Sequence, residues 1–207
     1  MYRVLCYGDS NTWGFNPVSG LRFSPKERWP GVLSEQLGSG FNICEDGRNG
    51  RTLCGCKEEF IESIDHNDPV DVVILFLGIN DIVFDPEVRV DRMMDELDFI
   101  ADHLDPNRPE RSGMHSDLVL ISAVPPAADQ VSDGLYELEA GKVEDYRRRL
   151  RSFASSRGFG FIDSAMIVSA SGLDGLHLDE SEHHKLGLFV ADYLRSYLKN
   201  GSLKGGA

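Results

Sequence analysis

The chain has 207 residues, of which 41% are hydrophobic and 27% charged, as is typical of a globular protein that buries a full core without disulfides or structural metals. Its net charge of −13 argues against binding to nucleic acid or to an anionic membrane surface, because both would repel an acidic protein. No apolar run approaches the ~20 residues that span a bilayer, so no membrane-spanning segment is expected.

Strand and helix signals alternate from the first residues onward. Tyr2–Tyr7 is an apolar run that ends at a glycine, which predicts a buried strand followed by a tight loop. Helical spacing predicts a helix over Pro30–Leu37, and a short second strand is predicted at Phe41–Cys44. Lys57–Ile64 is predicted to be a helix. Val70–Leu77 is almost continuously apolar, as is typical of a strand buried on both faces of a parallel sheet.

The second half of the chain continues this alternation. Val88–Leu104 has apolar residues at every third or fourth position, which predicts an amphipathic helix. Leu118–Ala123 and Phe159–Asp163 are predicted to be strands, and the arginine-rich segment Leu135–Ser156 between them a long helix. Glu182–Leu198 is predicted to be the closing helix.

About five strands that alternate with helices predict an α/β fold, namely a three-layer, doubly wound domain with a central five-stranded parallel sheet, as in flavodoxin-like proteins. No internal repeat or linker divides the chain, so we expect one domain over residues 1–200 and a flexible, glycine-rich tail over residues 201–207. Sheets of this kind bind ligands outside the carboxyl ends of their strands, and functional residues are expected there.

Four polar, glycine-containing segments lie after predicted strands. Gly8–Ser10 follows the first strand, Asp46–Thr52 the second and Gly78–Asp81 the third. Asp174–His177 lies between the last strand and the last helix. Because the carboxyl ends of parallel strands share one edge of the sheet, we expect the four segments to meet at that edge.

These segments carry the residue types that acyl transfer requires. A serine hydroxyl is a poor nucleophile until a neighbouring base takes its proton, and Ser10 and His177 are the candidate nucleophile and base. Asp174, three residues before His177, is placed to fix the tautomer of the ring and to stabilise the imidazolium. The backbone N–H groups of Ser10 and Gly50 and the side-chain amide of Asn80 are candidate donors to the developing oxyanion.

Each of these residues has a simpler interpretation by itself. Ser10 could be an ordinary turn or N-cap serine, and the Asn-Asp pair of the third segment could cap the helix that follows it. The aspartate and histidine of the last segment could belong to a surface turn. Four such coincidences at one edge of the sheet are improbable, which favours the catalytic interpretation. The adjacent His183 and His184 are expected to face solvent at the start of the last helix.

The chain resembles the SGNH (GDSL) hydrolase family in three ordered blocks. Gly8–Gly14, with the sequence Gly-Asp-Ser-Asn-Thr-Trp-Gly, is similar to block I of the family. Gly78–Asp81, with a Gly-x-Asn-Asp pattern, and Asp174–His177, with an Asp-x-x-His pattern, are similar to blocks III and V. The order, the spacing and the total length also match, so the resemblance covers nearly the whole chain.

The resemblance implies a role for each matching residue. It implies that Ser10 is the nucleophile, that Asn80 is the oxyanion-hole asparagine and that Asp174–His177 supplies the acid–base pair. The oxyanion-hole glycine of the family maps to Gly50, with the nearby Gly47 as the alternative.

A narrower resemblance lies in Arg22–Leu33, which is similar to a segment of the small bacterial arylesterase and acyltransferase branch. It implies a small-molecule ester with a short acyl group, such as acetyl on an aryl, alkyl or carbohydrate alcohol, that is hydrolysed or transferred. It also implies a homo-oligomer in which loops of neighbouring subunits narrow the entrance of the site. Asn11, Ile79 and Leu176 flank the triad and are expected to contact the acyl group or its alcohol.

Large apolar side chains are concentrated between the first loop and the first long helix, where little regular structure is expected. A free loop would not keep them in water, so they pack either on this domain or on another subunit. The resemblance to the acyltransferase branch favours the second arrangement. The residues concerned are Phe15, Leu21, Phe23 and Trp29.

Two other functions stay open. A binding or scaffolding subunit of the SGNH type would keep the fold and lose the triad, whereas the three triad residues are all present here. A flavodoxin-like nucleotide-binding domain would share the architecture, but neither G-x-G-x-x-G nor G-x-x-x-x-G-K-[ST] occurs. The G-x-S-x-G elbow of the α/β-hydrolases is also missing.

No cofactor and no metal are predicted. Cys54 and Cys56 form a Cys-x-Cys pair, but a zinc site needs two more ligands and none stands nearby in the sequence. The apolar stretch at the N-terminus is too short for an export signal, which needs ~7–15 apolar residues. The four cysteines are therefore expected to be reduced thiols, and the protein to be cytoplasmic.

Overall fold

Five parallel strands form the centre of the protein in a computed structural model, which describes residues 1–105, 116–127 and 135–199, without the side chains of residues 135–140. The strands are Tyr2–Gly8 (β1), Phe41–Gly47 (β2), Val72–Phe76 (β3), Asp117–Ile121 (β4) and Gly160–Ile162 (β5). The α-helices in these described ranges are Ser10–Trp13 (α1), Trp29–Leu37 (α2), Lys57–Asn67 (α3), Ile79–Phe84 (α4), Val90–His103 (α5), Leu135–Arg157 (α6) and Glu180–Lys199 (α7).

The strand order in the sheet is β2-β1-β3-β4-β5, with every neighbouring pair parallel. The predicted α/β class and five-stranded parallel sheet are confirmed. Because the order reverses between β1 and β3, the crevice of this doubly wound sheet lies beyond the carboxyl ends of those two strands. The loops after β1, β2 and β3 meet at this place.

Helices cover both faces of the sheet because successive side chains of a strand point to opposite sides. In β1, Leu5 and Tyr7 belong to a core that includes residues of α3, α5 and α6. Val4 and Cys6 belong to a second core that includes residues of α2 and α7. All five residues of β3 are buried, which is why this strand has a continuously apolar sequence.

Two short helices stand where the sequence predicts loops. Asp9 caps α1, since its Oδ1 accepts the backbone N–H of Asn11 at 2.8 Å, and Gly14, with φ of 88°, ends the helix. Gly78, with φ of 117°, immediately precedes α4. Helices of four and six residues are too short to show a helical period in the sequence.

The second strand is longer than its apolar sequence predicts. It continues past Cys44 to Gly47, because its parallel pairing with β1 extends to the partners Gly8 and Gly47. Glu45 and Asp46 are therefore strand residues, and the polar loop begins only after them.

The expectation that another subunit covers the large apolar side chains after α1 is wrong for two of them. Trp29 is fully buried at the start of α2, and Phe23 is 7% exposed, both within this chain. Phe15 is half-buried, whereas Leu21 is 69% exposed. The segment therefore folds back on its own domain at Phe23 and Trp29 and leaves Leu21 exposed.

His183 does not face solvent, and the prediction for this residue is wrong. It lies on the inner face of α7, three and seven residues before the buried Leu186 and Val190. Its Nδ1 accepts the backbone N–H of Trp29 at 3.4 Å, and burial lowers its pKa to about 3. His184, its neighbour, is exposed as predicted.

None of the helices in the described ranges has the length and apolar character needed to cross a membrane. The predicted tail over residues 201–207 lies outside the described residues.

Candidate active site

Ser10, His177 and Asp174 form a continuous hydrogen-bonded series at the carboxyl edge of the sheet. Ser10 is the first residue of α1, two residues after the end of β1, and its Oγ lies 2.9 Å from Nε2 of His177. Nδ1 of the same ring lies 2.7 Å from Oδ2 of Asp174. The imidazole therefore stands between the hydroxyl and the carboxylate, in the order that activation of a serine requires.

The loop that carries Asp174 also holds its carboxylate in place. Oδ1 of Asp174 accepts the backbone N–H groups of Leu176 and His177, each at 3.0 Å. Burial acts to raise the pKa of this carboxyl, but these two N–H groups and the His177 ring outweigh burial, and the pKa of Asp174 is lowered. The carboxylate is therefore charged at neutral pH and can stabilise an imidazolium.

Asn11 joins the nucleophile helix to the histidine loop. Its Oδ1 accepts the backbone N–H of Leu178 at 3.0 Å, and its Nδ2 donates to the carbonyl oxygen of Leu176 at 3.4 Å. These two contacts flank His177 in the chain. Asn11, which is predicted to contact substrate, thus also hydrogen-bonds to the backbone of the residues directly before and after the candidate base.

A cavity of about 200 Å³ opens beside Ser10 and His177. Phe15 forms one wall, with its ring centroid 4.3 Å from that of His177. Phe84, which is 67% exposed, stands at its outer rim. The three residues predicted to contact substrate all line this cavity: Asn11, Ile79 and Leu176.

Gly50 lines the same cavity, while Gly47 belongs to β2. Gly50 has φ of 74° and lies in a turn closed by the hydrogen bond from the N–H of Arg51 to the carbonyl oxygen of Arg48, at 3.1 Å. At Gly47, a Cβ would come within 2.1 Å of the backbone nitrogen of Trp13, so its small size allows α1 to pack on the strand. Of the two glycines, Gly50 is the one that lines the cavity.

Asn80 is oriented by the loop after β2. Its Nδ2 donates to the carbonyl oxygen of Arg51 at 2.9 Å. A side-chain amide has two N–H bonds, so a second donor is left for the cavity that Asn80 lines. The candidate donors from Ser10, Gly50 and Asn80 therefore come from the start of α1, the turn after β2 and the start of α4, which meet at one cavity.

Asp81 does not act as the cap of α4 but connects this helix to the loop after β2. Its carboxylate oxygens accept the backbone N–H groups of Leu53 at 2.7 Å and Cys54 at 2.8 Å. It is 2% exposed. The side chains of Asn80 and Asp81 thus hydrogen-bond to the backbone of the loop that carries Gly50 and hold that loop against α4.

Three ionisable residues of the site have no catalytic role in the sequence-based prediction. Asp9 is 1% exposed, and burial raises the pKa of its carboxyl to about 7. Arg51 and Asp81 are also buried. All three adjoin predicted site residues in the sequence, which is the one signal that could have singled them out.

The described residues contain no group of three or more His, Cys, Asp or Glu side chains that could hold a metal ion. Cys6, Cys44, Cys54 and Cys56 are free thiols.

Comparison with known proteins gives one family and many related structures. The sequence model of the GDSL-like Lipase/Acylhydrolase family matches residues 6–184. No curated protein matches the sequence. Among solved structures, a protein of Agrobacterium tumefaciens str. C58 assigned as an arylesterase is 28% identical, with a TM-score of 0.83, and the match covers 95% of this chain and 99% of the other.

Two further structures are similar over the same extent. The aryl esterase of M. smegmatis is 27% identical, with a TM-score of 0.81, and the match covers 95% of this chain and 99% of the other. The carbohydrate acetylesterase Est24 of Sinorhizobium meliloti is 23% identical, with a TM-score of 0.85 and the same coverage. At that identity, the likeness to Est24 concerns the fold alone.

Proposed function

The chain belongs to the GDSL-like lipase/acylhydrolase family, and from this premise we propose that it hydrolyses small esters of short acyl groups, such as acetyl, through an acyl intermediate on Ser10. Family membership confirms the resemblance of the three sequence blocks and makes the chain an SGNH-type carboxylic ester hydrolase. The catalytic residues, the acyl group and the alcohol are the parts that we propose. The observation that carries the proposal is the position of the His177 ring, 2.9 Å from Ser10 Oγ and 2.7 Å from the Asp174 carboxylate.

In the proposed reaction, Nε2 of His177 takes the proton of Ser10 as Oγ attacks the carbonyl carbon of the ester. Asp174 stabilises the imidazolium that forms. The tetrahedral oxyanion accepts hydrogen bonds from the N–H groups of Ser10 and Gly50 and from Nδ2 of Asn80. His177 then returns the proton to the departing alcohol, and a water molecule repeats the sequence on the acyl-serine.

The size of the cavity supports a short acyl group. At about 200 Å³ it is smaller than the ~300–1,000 Å³ of typical small-molecule sites. Ile79, Phe84 and Leu176 present apolar surface to it, which suits a methyl or ethyl group better than a charged one. We therefore propose acetyl and propionyl esters as substrates, with aryl, alkyl or carbohydrate alcohols.

We also propose that the protein is a homo-oligomer and that a neighbouring subunit narrows the entrance of the site. Exposed apolar side chains support this proposal: Phe84, which lines the cavity, is 67% exposed, and Leu21 and Val18, in the segment after α1, are 69% and 78% exposed. A covered entrance would exclude water and favour transfer of the acyl group to an alcohol, which we propose as a second reaction of the same acyl-serine. The cytoplasmic location stays a prediction.

An acyl-chain series tests the substrate class, and light scattering on the same preparation tests the assembly. We expect kcat/KM for p-nitrophenyl acetate to exceed that for the butyrate and, far more, that for the octanoate. A monomer that prefers octanoate would contradict both the short-acyl and the oligomer proposals. A chain without any activity on aryl, alkyl or sugar acetates would favour the alternative of a silent binding or scaffolding subunit.

A further inference from the structure

A buried guanidinium contacts the ends of the first two strands, next to the segments that carry the candidate oxyanion donors. The side chain of Arg51 is 5% exposed, and its Nη1 donates to the carbonyl oxygens of Gly8 at 2.8 Å and Asp46 at 2.6 Å. Its Nη2 and Nε donate to the carboxylates of Asp46 at 2.8 Å and Glu59 at 3.2 Å. The guanidinium also lies over the ring of Tyr7, 4.0 Å from its centroid.

These contacts fix the Arg51 guanidinium in one position. A charge is expensive to bury unless it is paired and its donors are satisfied, and here each guanidinium nitrogen has an oxygen partner. Because the guanidinium is planar and its donors form a rigid fork, the directions of all these bonds are set together. A buried network of this kind constrains the side chain more strongly than an exposed ion pair does.

The same residue connects the three candidate oxyanion donors. Its guanidinium holds the carbonyl of Gly8, two residues before Ser10. Its backbone N–H closes the turn that contains Gly50, and its carbonyl oxygen accepts Nδ2 of Asn80 at 2.9 Å. Side chain and backbone of Arg51 therefore link the end of β1, the turn after β2 and the start of α4.

On the basis of the proposed function, we propose that Arg51 is a positioning residue that fixes the N–H groups of Ser10 and Gly50 and the amide of Asn80 relative to one another. Oxyanion donors act only when they lie about 2.7–3.1 Å from the place where the charge develops. A displacement of ~1 Å costs on the order of 10²-fold in rate. Arg51 touches no substrate in this account and acts only through these donors.

Arg48 offers a matched control in the same turn. It also pairs with Glu59, at 2.5 Å, but its side chain is 58% exposed. Arg51→Ala is expected to lower kcat for p-nitrophenyl acetate on the order of 10²-fold while KM changes little, because the loss concerns the transition state. Arg48→Ala is expected to keep the kcat of the wild type.

Two readouts separate positioning from a merely structural role. Guanidinium chloride at non-denaturing concentration is expected to restore part of the kcat of Arg51→Ala and to leave that of Asn80→Ala unchanged. In the double variant Arg51→Ala/Asn80→Ala, the combined loss of kcat is expected to be clearly smaller than the product of the two single losses, since both changes affect the same oxyanion. If Arg51→Ala does not fold, Arg51→Lys is used in the same comparison, because a lysine ammonium cannot reproduce the fork.

A folded Arg51→Ala or Arg51→Lys variant with the kcat of the wild type would overturn the inference. Losses that multiply in the double variant would overturn it as well. Both results leave the proposed function standing, provided that the wild type hydrolyses the ester and Ser10→Ala does not. A wild type without Ser10-dependent hydrolysis would instead overturn the proposed function.

Discussion

The ring of Phe15 lies over the ring of His177, with 4.3 Å between the centroids and 36° between the planes. Phe15 thus contacts the ring of the candidate base and, at the same time, forms a wall of the cavity. This one side chain is therefore expected to affect both the orientation of the base and the size of the acyl group that the cavity accepts. This contact is within one chain and does not depend on a neighbouring subunit.

Replacement of Phe15 by Leu is expected to lower kcat/KM for p-nitrophenyl acetate by up to about 10-fold, since an aromatic pair contributes ~0.5–1.5 kcal/mol beyond its buried area. The smaller side chain also widens the cavity, so the ratio of butyrate to acetate turnover is expected to rise. Phe153→Leu is the control, because Phe153 pairs with Phe159 away from the site. A Phe15→Leu enzyme with the wild-type rate and the wild-type ratio would contradict this role.

Asn11→Ala is expected to reduce both stability and activity. The substitution leaves the buried N–H of Leu178 without its acceptor, which costs about 1–3 kcal/mol, and it frees the loop on both sides of His177. We expect a lower urea midpoint and a loss of kcat/KM on the order of 10-fold or more. Asn67→Ala removes a hydrogen bond from Nδ2 to the carbonyl oxygen of Ser63 within α3 and should affect stability alone. Equal activity of the two variants would argue against a role of Asn11 in the site.

Gly50→Ala tests the turn that carries the second oxyanion donor. No atom lies within 4 Å of the added Cβ, so the expected damage comes from φ of 74°, a region that alanine avoids at a cost of roughly 1 kcal/mol. Gly158, after α6, also has φ of 74° and the same open surroundings. Gly158→Ala should therefore lose similar stability without loss of kcat, whereas Gly50→Ala should lose both. A normal kcat in Gly50→Ala would place the donor elsewhere.

The buried carboxyl of Asp9 makes stability depend on pH in a defined direction. Its pKa is raised by burial from 3.8 to about 7, so the folded state holds a proton that the unfolded state releases. The stabilisation by the neutral form is fully present below about pH 4 and is lost as the pH rises through 7, by up to about 4 kcal/mol. Asp9→Asn, which can still accept the N–H of Asn11, should not show this loss.

Urea unfolding of the wild type and of Asp9→Asn at pH 5 and pH 8 measures this effect. The stability of the variant relative to the wild type is expected to increase between the two values. Asp192→Asn is the control, because this side chain is 81% exposed on α7. A difference between Asp9→Asn and the wild type that is the same at both values would refute the assignment of a buried neutral carboxyl.

Long periodic elements and the order of the polar loops could be predicted from the sequence, whereas contacts within the loops could not. The apolar run of β3 predicts a strand buried on both faces, and the spacing in α5 predicts a helix and its buried face. Asp174 and His177 are three residues apart, which is close enough for a local contact to be inferred. The burial of Arg51 and Asp81 depends on how three separate loops meet. No local sequence pattern predicts that arrangement.

The predictions that are wrong fail for the same physical reason. His183 looks like a solvent-facing residue by type, but its place on the inner face of α7 buries it against the backbone of Trp29. Trp29 and Phe23 were expected at another subunit, yet the segment after α1 folds back on this domain. Tertiary packing decides such cases, and residue type alone does not.

The most direct test of the account is the rate of p-nitrophenyl acetate hydrolysis by Ser10→Ala, with His177→Ala beside it and the fold of each variant checked by circular dichroism. If Ser10, His177 and Asp174 act as a unit, each variant should lose activity on the order of 10⁴-fold or more while it stays folded. A folded Ser10→Ala enzyme with near-normal turnover would contradict the proposed acyl-serine mechanism.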